Sequence, residues 1–221
     1  MQATDSSPIS PLERLVARAE QLMQRIEAVL PQPLQAPADW GAAIAWRYRK
    51  RANGCGVLEP VRHVGAMQLS DLQNIDAQKE KIARNTEQFV QGRTANNVLL
   101  TGARGTGKSS LIRACLHAYA DQGLRLIEVD KADLTDLPDI VEVVAARPES
   151  FIIYCDDLSF EEGEPGYKAM KSILDGSVSA ATPNVLVYAT SNRRHLLPEY
   201  LSENLQTSKG QDGEIHPGEV V

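Results

Sequence analysis

The most constraining feature of the sequence is a glycine-rich string from Gly102 to Ser109 that directly follows the apolar segment 98–101. Glycine permits backbone conformations that other residues rarely adopt, so the amide groups of such a string can surround an anion. The string fits the pattern Gly-x4-Gly-Lys-Ser, which binds phosphate where a strand precedes it and a helix follows it. We therefore expect a strand, a phosphate-binding loop and a helix that begins near Gly107.

The residue types in this loop suit a nucleoside triphosphate. The positive end of the following helix dipole attracts phosphate. Lys108 can neutralise charge on the β- and γ-phosphates, and the Ser109 hydroxyl can bind magnesium. The alternative is a glycine-rich turn with a surface lysine, which the flanking pattern does not favour. The predicted nucleotide-binding residues are Gly102, Ala103, Arg104, Gly105, Thr106, Gly107, Lys108, Ser109 and Ser110.

The chain from residue 98 onward alternates short apolar segments with longer helical ones. Strands that alternate with helices of this length form crossover units, which build a parallel sheet between two layers of helices. The sequence therefore predicts an α/β fold, a three-layer sandwich. We expect strands at 98–101, 124–129, 151–155 and 185–190, and helices at 107–121, 137–146 and 167–174.

Two acids, Asp156 and Asp157, follow the apolar strand 151–155. Ligands of open parallel sheets collect at the carboxyl ends of the strands, so these acids should face the same cleft as the phosphate loop. We expect Asp156 to hold magnesium with Ser109, and Asp157 to orient and activate the attacking water. The alternative is that the acids cap a helix or form a turn.

A third polar group ends the strand 185–190. An amide side chain can both donate to phosphate and accept from water, so Asn192 is a candidate sensor of the γ-phosphate. The alternative is a Ser-Asn turn that caps the next helix. The predicted catalytic residues are thus Lys108, Asp157 and Asn192, and the predicted magnesium ligands are Ser109 and Asp156.

The segment before the phosphate loop indicates further helices. Ser10 can cap a helix that runs to about Leu30, and its apolar residues recur every three or four positions. That helix either packs on its own domain or binds a partner or a second copy. A second helix is expected from Asp39 toward Arg51, and a third over 69–92. The basic and aromatic residues of 46–51 either contact phosphate backbones or form a solvated helix end.

Composition narrows the classes of partner. Residues 101–221 carry 11 basic against 19 acidic residues, so nucleic-acid binding is possible but not indicated. Three cysteines at distant positions fit neither a disulfide framework nor a metal site, which favours a reducing compartment. No export signal and no run of about 18 apolar residues is present, so we expect a cytoplasmic protein without a membrane partner.

Three motifs together resemble the AAA+ superfamily: the phosphate loop, or Walker A motif, the acidic strand end, or Walker B motif, and the asparagine of the sensor strand. The segments ANNVLLTGARGTGKSSL (95–111), YCDDLSFE (154–161) and YATSNRRHL (188–196) further resemble a bacterial AAA+ family called domain of unknown function eight-one-five. This similarity extends from about Trp40 to the end of the chain.

The resemblance implies an ATP-binding P-loop NTPase fold of the AAA+ type with sheet order 5-1-4-3-2, and it implies that residues 71–79 pack near the adenine. Magnesium bound with ATP is the implied cofactor. Four parts follow from these patterns. They are an amphipathic helix and proline-rich linker (1–38), a helical lead-in (39–94), the AAA+ core (95–206) and a flexible tail (207–221).

Two departures from the AAA+ pattern lower the expected activity. AAA+ proteins usually carry glutamate where this chain has Asp157, although the resemblance implies that the bacterial family shares the aspartate. About 29 residues follow Asn192, and we expect the fifth strand and the helical lid to be missing from the chain. Weak ATP binding and slow hydrolysis are therefore expected. Arg193 and Arg194 are candidates for a trans-acting arginine by position alone.

Three functions remain open from the sequence. The first is a AAA+ ATPase that forms a homo-oligomer on binding nucleotide and remodels an unknown macromolecule. The second is an ATP-dependent binding or switch module with little turnover. The third, a small-molecule kinase, is less favoured because the sequence offers no distinct segment for binding a phosphate acceptor.

Overall fold

The computed structural model describes residues 11–29, 34–160, 164–174 and 182–192. The helices are α1 (Pro11–Val29), α2 (Asp76–Val90), α3 (Lys108–Tyr119), α4 (Leu137–Ala145) and α5 (Pro165–Leu174). The strands are β1 (Ala45–Lys50), β2 (Gly56–Pro60), β3 (Val98–Thr101), β4 (Leu124–Glu128), β5 (Ser150–Cys155) and β6 (Val185–Ser191). Short 3-10 segments lie at Trp40–Ala42, Leu69–Asp71, Ala120–Gln122 and Lys131–Asp136.

The strands form one sheet in the order β2-β1-β4-β5-β6-β3. Neighbours from β4 to β3 are parallel, as are β1 and β4, whereas β1 and β2 pair antiparallel. The four predicted strands of the α/β core are therefore confirmed. In the AAA+ numbering, β3, β4, β5 and β6 are strands 1, 2, 3 and 4. The observed order β3-β6-β5-β4, read from the β3 edge, is therefore 1-4-3-2, as expected. The position of a fifth strand lies outside the described residues.

Two apolar clusters cover the faces of this sheet and make the three-layer sandwich. One cluster joins Ile140 and Val144 of α4 and Met170 of α5 to Phe151 and other sheet residues. The second cluster packs α2 and α3 on the opposite face, with members such as Ile82, Phe89, Leu111 and Ile112. The central strands are apolar throughout because helices bury them on both sides.

The predicted helix from Asp39 to Arg51 is wrong, so the helical lead-in over 39–94 is only partly helical. The Asp39 side chain does accept a hydrogen bond from the Gly41 amide at 2.7 Å, but the capped segment is a single 3-10 turn. The chain then forms the hairpin β1–β2, and β1 extends the sheet beside β4. The third predicted helix is confirmed as α2, preceded by the 3-10 segment Leu69–Asp71.

Alternating side chains explain why residues 45–50 form a strand. Trp46 and Tyr48 are buried in the core, whereas Arg47 and Arg49 point to the other face and are exposed. An alternation with a period of two residues matches a half-buried strand and cannot place one continuous face of a helix in the core. The aromatic residues of this stretch therefore anchor the hairpin.

The first helix is found as predicted, but it does not pack on the rest of the described chain. Its large apolar side chains are solvent-exposed, with exposed fractions of 71% for Leu12, 68% for Leu15 and 64% for Met23. None of the helices within the described ranges is long and apolar enough to cross a membrane. The expectation that the helical lid is missing, the arginine candidates Arg193 and Arg194 and the tail 207–221 all concern residues outside the described ranges, so they stay predictions.

The hairpin assignment gives a test of stability. Trp46→Ala should lower the free energy of unfolding by about 3–5 kcal/mol, because it leaves a large cavity where the indole ring is buried. Urea denaturation measures the change. Arg49→Ala, on the exposed face of the same strand, is the matched control and should change stability by less than about 0.5 kcal/mol. Equal small effects of both substitutions would contradict the alternating burial.

Candidate functional site

The glycine-rich loop lies where the sequence places it, between the end of β3 and the start of α3. Gly105 and Gly107 have φ values of 81° and 84°, in the left-handed region that favours glycine. The Gly107 carbonyl accepts the first hydrogen bond of the helix, from the Leu111 amide at 2.8 Å. The loop thus turns directly into the amino end of a 12-residue helix, where backbone amides and the helix dipole favour an anion.

The Lys108 ammonium lies inside the loop and has three acceptors. It donates to the carbonyls of Gly102 and Ala103 at 2.7 and 2.8 Å, and to Asn192 Oδ1 at 3.0 Å. The Thr106 hydroxyl also donates to the Ala103 carbonyl, at 2.9 Å. These bonds hold the Lys108 ammonium between the residues that follow β3 and the residue that follows β6.

A cluster of hydroxyl groups surrounds the Asp156 carboxylate. Ser109 Oγ donates to Asp156 Oδ1 at 2.9 Å, and Thr190 Oγ1 donates to the same oxygen at 2.5 Å. Partial burial opposes ionisation of this carboxyl, but the two hydroxyl donors favour the charged form, and the net result is that the pKa of Asp156 lies below its ordinary value. Asp156 is therefore a carboxylate at neutral pH.

Asp157 has a constrained backbone and a defined side-chain partner. Its φ is 52°, a left-handed conformation that aspartate tolerates better than most residues. Its amide donates to Thr190 Oγ1 at 2.9 Å, and its carboxylate accepts from Asn192 Nδ2 at 2.5 Å. A continuous chain of hydrogen bonds therefore runs from Lys108 through Asn192 to Asp157.

The register of the parallel strands brings these residues together. Cys155 at the end of β5 lies opposite Ala189 of β6, so Asp156 follows next to Thr190. Thr101 at the end of β3 lies opposite Ser191, and the Gly102 amide donates to the Ser191 carbonyl at 3.2 Å. Three strand ends thus meet at one edge of the sheet, as parallel strands require.

One cavity of about 270 Å³ contains the predicted catalytic and metal-binding side chains. Of the predicted nucleotide-binding residues, Gly102 and Ala103 do not line this cavity, although their carbonyls accept hydrogen bonds from Lys108. The residues that line the cavity are Arg104, Gly105, Thr106, Gly107, Lys108, Ser109, Ser110, Asp156, Asp157, Thr190 and Asn192.

A second cavity of about 240 Å³ adjoins the loop on the side of α2. It shares Thr106, Gly107 and Lys108 with the first cavity, and Ile75 and Gln78 close it. Both of these residues belong to the segment 71–79, which the family resemblance places near the adenine. An apolar wall beside a phosphate loop is suited to a planar base.

The Ser109 and Asp156 pair fits a magnesium ion. A hydroxyl and a carboxylate are the oxygen ligands that magnesium accepts, and the ion usually keeps several waters and phosphate oxygens as well. Within the part of the chain that the structure describes, no cluster of three or more histidine, cysteine or acidic side chains could hold a metal by itself. The protein therefore offers a partial ligand set of the kind used with a bound triphosphate.

The sequence analysis missed Thr190. This residue is 1% exposed, and its hydroxyl donates to Asp156 while accepting from the Asp157 amide. It thereby fixes both acids with one buried atom. A threonine at the carboxyl end of a buried strand needs a polar partner, but its partners can be named only when β5, which ends before Asp-Asp, is known to lie beside β6.

The chain is similar to one family of sequences and to several solved structures. Residues 41–221 match the family described as "Protein of unknown function (DUF815)". No curated protein sequence matches the chain. Similar solved structures include DnaI, with 23% identity over 60% of this chain and 73% of that chain at a TM-score of 0.43.

Two further structures are similar over a comparable part of the chain. A RuvB mutant of Thermotoga maritima has 14% identity over 61% of this chain and 44% of its own, with a TM-score of 0.45. AMPPCP-bound DnaA from Aquifex aeolicus has 16% identity over 57% and 42%, with a TM-score of 0.41. The matched region is less than half of the RuvB and DnaA chains.

The order of the core strands, and the position of the glycine-rich segment between a strand and a helix, agree with the α/β P-loop fold that the sequence predicts. The family match covers most of the sequence, from residue 41 to residue 221. The chain therefore belongs to the family described as "Protein of unknown function (DUF815)".

Proposed function

We propose that this protein binds ATP with magnesium in the cavity at the end of β3 and hydrolyses it to remodel a macromolecule. The observation that supports this most directly is the convergence of Lys108, Ser109, Asp156, Asp157 and Asn192 on one cavity. Lys108 and Ser109 are the first residues of α3, and the other three side chains directly follow the neighbouring strands β5 and β6. No other cavity found within the described residues combines a glycine-rich loop with these groups.

Binding would replace contacts that the free protein makes with itself. The Lys108 ammonium donates to two loop carbonyls and to Asn192. Phosphate oxygens are stronger acceptors because they carry charge, so a triphosphate would take over some of these bonds. The base would occupy the adjoining cavity beside Ile75 and Gln78.

Ser109 and Asp156 would hold the magnesium ion that accompanies the nucleotide. Bound there, the ion would neutralise charge on the β- and γ-phosphates. The hydroxyl of Thr190 supports this role, since it holds the Asp156 carboxylate in place from the buried side. The hydroxyl donors lower the pKa of Asp156, so the carboxylate is ionised at neutral pH and no proton must leave before the metal binds.

Asp157 would act as the base that orients and activates water. Its carboxylate is held by the Asn192 amide, and Asn192 in turn accepts from Lys108. A γ-phosphate that attracts Lys108 would remove one of the two bonds that position Asn192. This chain of bonds supports a role for Asn192 as the residue that reports the γ-phosphate to Asp157.

A second candidate function is an ATP-dependent switch with little turnover. The observation that favours it is the short side chain of Asp157, whose carboxylate is bonded to Asn192 at 2.5 Å. A base held this way lies close to its own backbone, whereas a glutamate would extend one methylene farther.

Phosphate release with and without DNA, RNA or unfolded protein distinguishes the two functions. Turnover that one of these macromolecules stimulates indicates remodelling, and turnover that stays absent with all of them indicates a switch.

Assembly on nucleotide belongs to the same proposal. A AAA+ ATPase that works as a homo-oligomer should increase in mass when ATP is added, and size-exclusion chromatography measures this. The macromolecular substrate is left open, since the charges near the cavity do not identify one class.

Removal of the Lys108 charge should weaken nucleotide binding. Lys108→Ala loses charge-assisted hydrogen bonds of about 1.5–3 kcal/mol, so the dissociation constant of a non-hydrolysable ATP analogue should rise at least about tenfold. Titration calorimetry with magnesium measures this constant. Lys81→Ala, an exposed lysine of α2, is the control and should bind normally. If Lys108→Ala bound the ATP analogue as tightly as the native chain, the assignment of this cavity as the nucleotide site would be wrong.

Substitution of Asp157 should affect hydrolysis and not binding. A general base contributes a factor of about 10² to 10⁴ to the rate. Asp157→Asn should therefore slow phosphate release by a factor of at least about 10², the lower end of this range. The affinity for ATP should change about threefold or less, because a base that acts on water does not hold the nucleotide. Turnover of the native chain should itself be below about one per second. Asp139→Asn on α4 is the matched control.

The opposite substitution tests the length of the side chain. Asp157→Glu should raise turnover several-fold, because the longer arm reaches a water farther from the backbone. If Asp157→Asn and the native protein release phosphate at the same measurable rate, Asp157 is not the base. If neither hydrolyses ATP with any tested macromolecule while both bind it, the switch function is correct.

A further inference from the structure

Helix α1 carries an apolar stripe that nothing in the described part of the chain covers. Val16, Leu22 and Ile26 are 47%, 52% and 58% exposed, and Leu12, Leu15 and Met23 are more than 60% exposed. Most helices in proteins gain their stability by burying an amphipathic face, and none of the described large apolar side chains of the 19-residue helix α1 is buried on the described core. The stripe therefore requires an occupant.

The spacing of the stripe is that of a coiled coil. Leu12, Leu15, Ala19, Leu22 and Ile26 are separated by three, four, three and four residues. This alternation places residues at the a and d positions of successive heptads, along a seam that fits a second helix of the same kind. Val16 and Met23 widen the seam on one side.

Charged residues lie on both sides of this stripe, with opposite signs. At 3.6 residues per turn, Arg18 and Arg25 lie beside Leu15 and Leu22 on one flank, with Arg14 next to them. Glu13 and Glu20 lie on the other flank, beyond Val16 and Met23. The helix therefore has one basic flank and one acidic flank, separated by apolar residues.

We propose that α1 associates with α1 of a second copy of this chain as a parallel, in-register coiled coil. In a parallel pair the basic flank of each helix faces the acidic flank of the other, so both sides of the seam bring opposite charges together. In an antiparallel pair like flanks would meet, arginine against arginine and glutamate against glutamate. Charge on the flanks of the seam selects partner and orientation in coiled coils.

The same charges make a membrane surface a poor occupant. Helices that lie on anionic membranes concentrate lysine and arginine on their polar face. Here the side opposite the stripe has the neutral residues Ala17, Gln21 and Gln24, and the flanks carry both signs. A second copy satisfies both flanks, whereas an anionic membrane satisfies only one.

The first experiment measures mass in solution without nucleotide, over a range of protein concentrations. Sedimentation of the full chain should give a species of at least twice the 24.2 kDa of one chain as concentration rises. Leu15→Asp with Leu22→Asp should raise the dissociation constant at least about tenfold, because two charges enter the seam. Ala17→Asp with Gln24→Asp, on the opposite side, adds the same charge and should leave the mass unchanged.

Measurements of folding stability and of nucleotide affinity are the controls for indirect effects of these substitutions. Since α1 makes no large apolar contact with the described core, all four substitutions should leave the denaturation midpoint of the core unchanged. Affinity for an ATP analogue should also stay unchanged, so failure of this proposal is separate from failure of the proposed function. A native chain that stays monomeric, or a Leu15→Asp/Leu22→Asp chain that associates as tightly as the native one, would overturn the proposal.

The second experiment determines orientation. The three cysteines of the sequence are all buried, so a cysteine introduced on α1 is the accessible one. Leu12→Cys should cross-link to its own copy in a parallel pair. In an antiparallel pair centred on Ala19 the two copies of residue 12 would be about 21 Å apart, at 1.5 Å per residue. Gln24→Cys, on the side away from the seam, is the control.

A mixture of two variants distinguishes the two orientations further. Leu12→Cys mixed with Ile26→Cys should give little mixed product in a parallel pair and mostly mixed product in an antiparallel one. Mostly mixed product would overturn the parallel arrangement.

The third experiment tests the charges. Arg18→Glu with Arg25→Glu gives two acidic flanks, and Glu13→Arg with Glu20→Arg gives two basic flanks. Each variant alone should self-associate about tenfold more weakly than the native chain, by the scale of 1.4 kcal/mol per tenfold change, and an equimolar mixture should associate again. Failure of the mixture to associate would overturn the role of the flanks. Binding of a monomeric native chain to anionic phospholipid vesicles would show that a membrane is the occupant and would also overturn the proposal.

Discussion

The register between β5 and β6 is the constraint on which the site depends. It places the buried hydroxyl of Thr190 beside two consecutive acids, where it donates to Asp156 and accepts from the Asp157 amide. A shift of one residue would exchange the two faces of β6 and move this hydroxyl to the other side of the sheet. The Tyr188 hydroxyl opposes such a shift, because its bonds of 2.9 Å to Asn85 Nδ2 and Thr86 Oγ1 of α2 would both be lost.

The Lys108 charge at the site is not neutralised by the two neighbouring carboxylates. Lys108 is paired with neutral carbonyl and amide oxygens, and not with the carboxylates of Asp156 or Asp157. An ion pair between the lysine and either acid would have to be broken for a phosphate to bind, at the cost of a charge-assisted contact. The hydroxyl and amide partners of the two acids leave both signs of charge available in one cavity.

The sequence allowed most of the core and the site to be predicted, because those signals are local. The loop from Gly102 to Ser109 has a fixed spacing, and β4, β5 and β6 are continuous apolar runs between turns. The hairpin β1–β2 was missed for a physical reason as well. Asp39 is a good helix cap and does cap a turn, but the alternation after Ala45 has a period of two residues, and the capping signal was weighted above it.

Other features depend on contacts between distant residues and have no local signal. Thr190 is one of two threonines in the described strands, and nothing in β6 alone shows that its partners are the acids that follow β5. The exposure of α1 likewise cannot be predicted from its stripe, because an amphipathic helix packs on its own domain as readily as on a partner. In both cases the pattern determines that a partner exists, and only the tertiary structure determines whether the chain supplies it.

The hairpin pairs basic residues of the first half of the sequence with acidic residues of the second half. Arg47 of β1 pairs with Glu128 at 2.8 Å, and Lys50 pairs with Asp136 at 2.9 Å. Both pairs join a base of the first hundred residues to an acid of the second half, so much of the basic stretch 46–51 is neutralised within the fold. Both cations are 44% exposed, and pairs of this kind contribute at most about 1 kcal/mol each. Burial of Trp46 and Tyr48 therefore holds β1 beside β4, and the ion pairs lower the positive charge that a phosphate backbone would require.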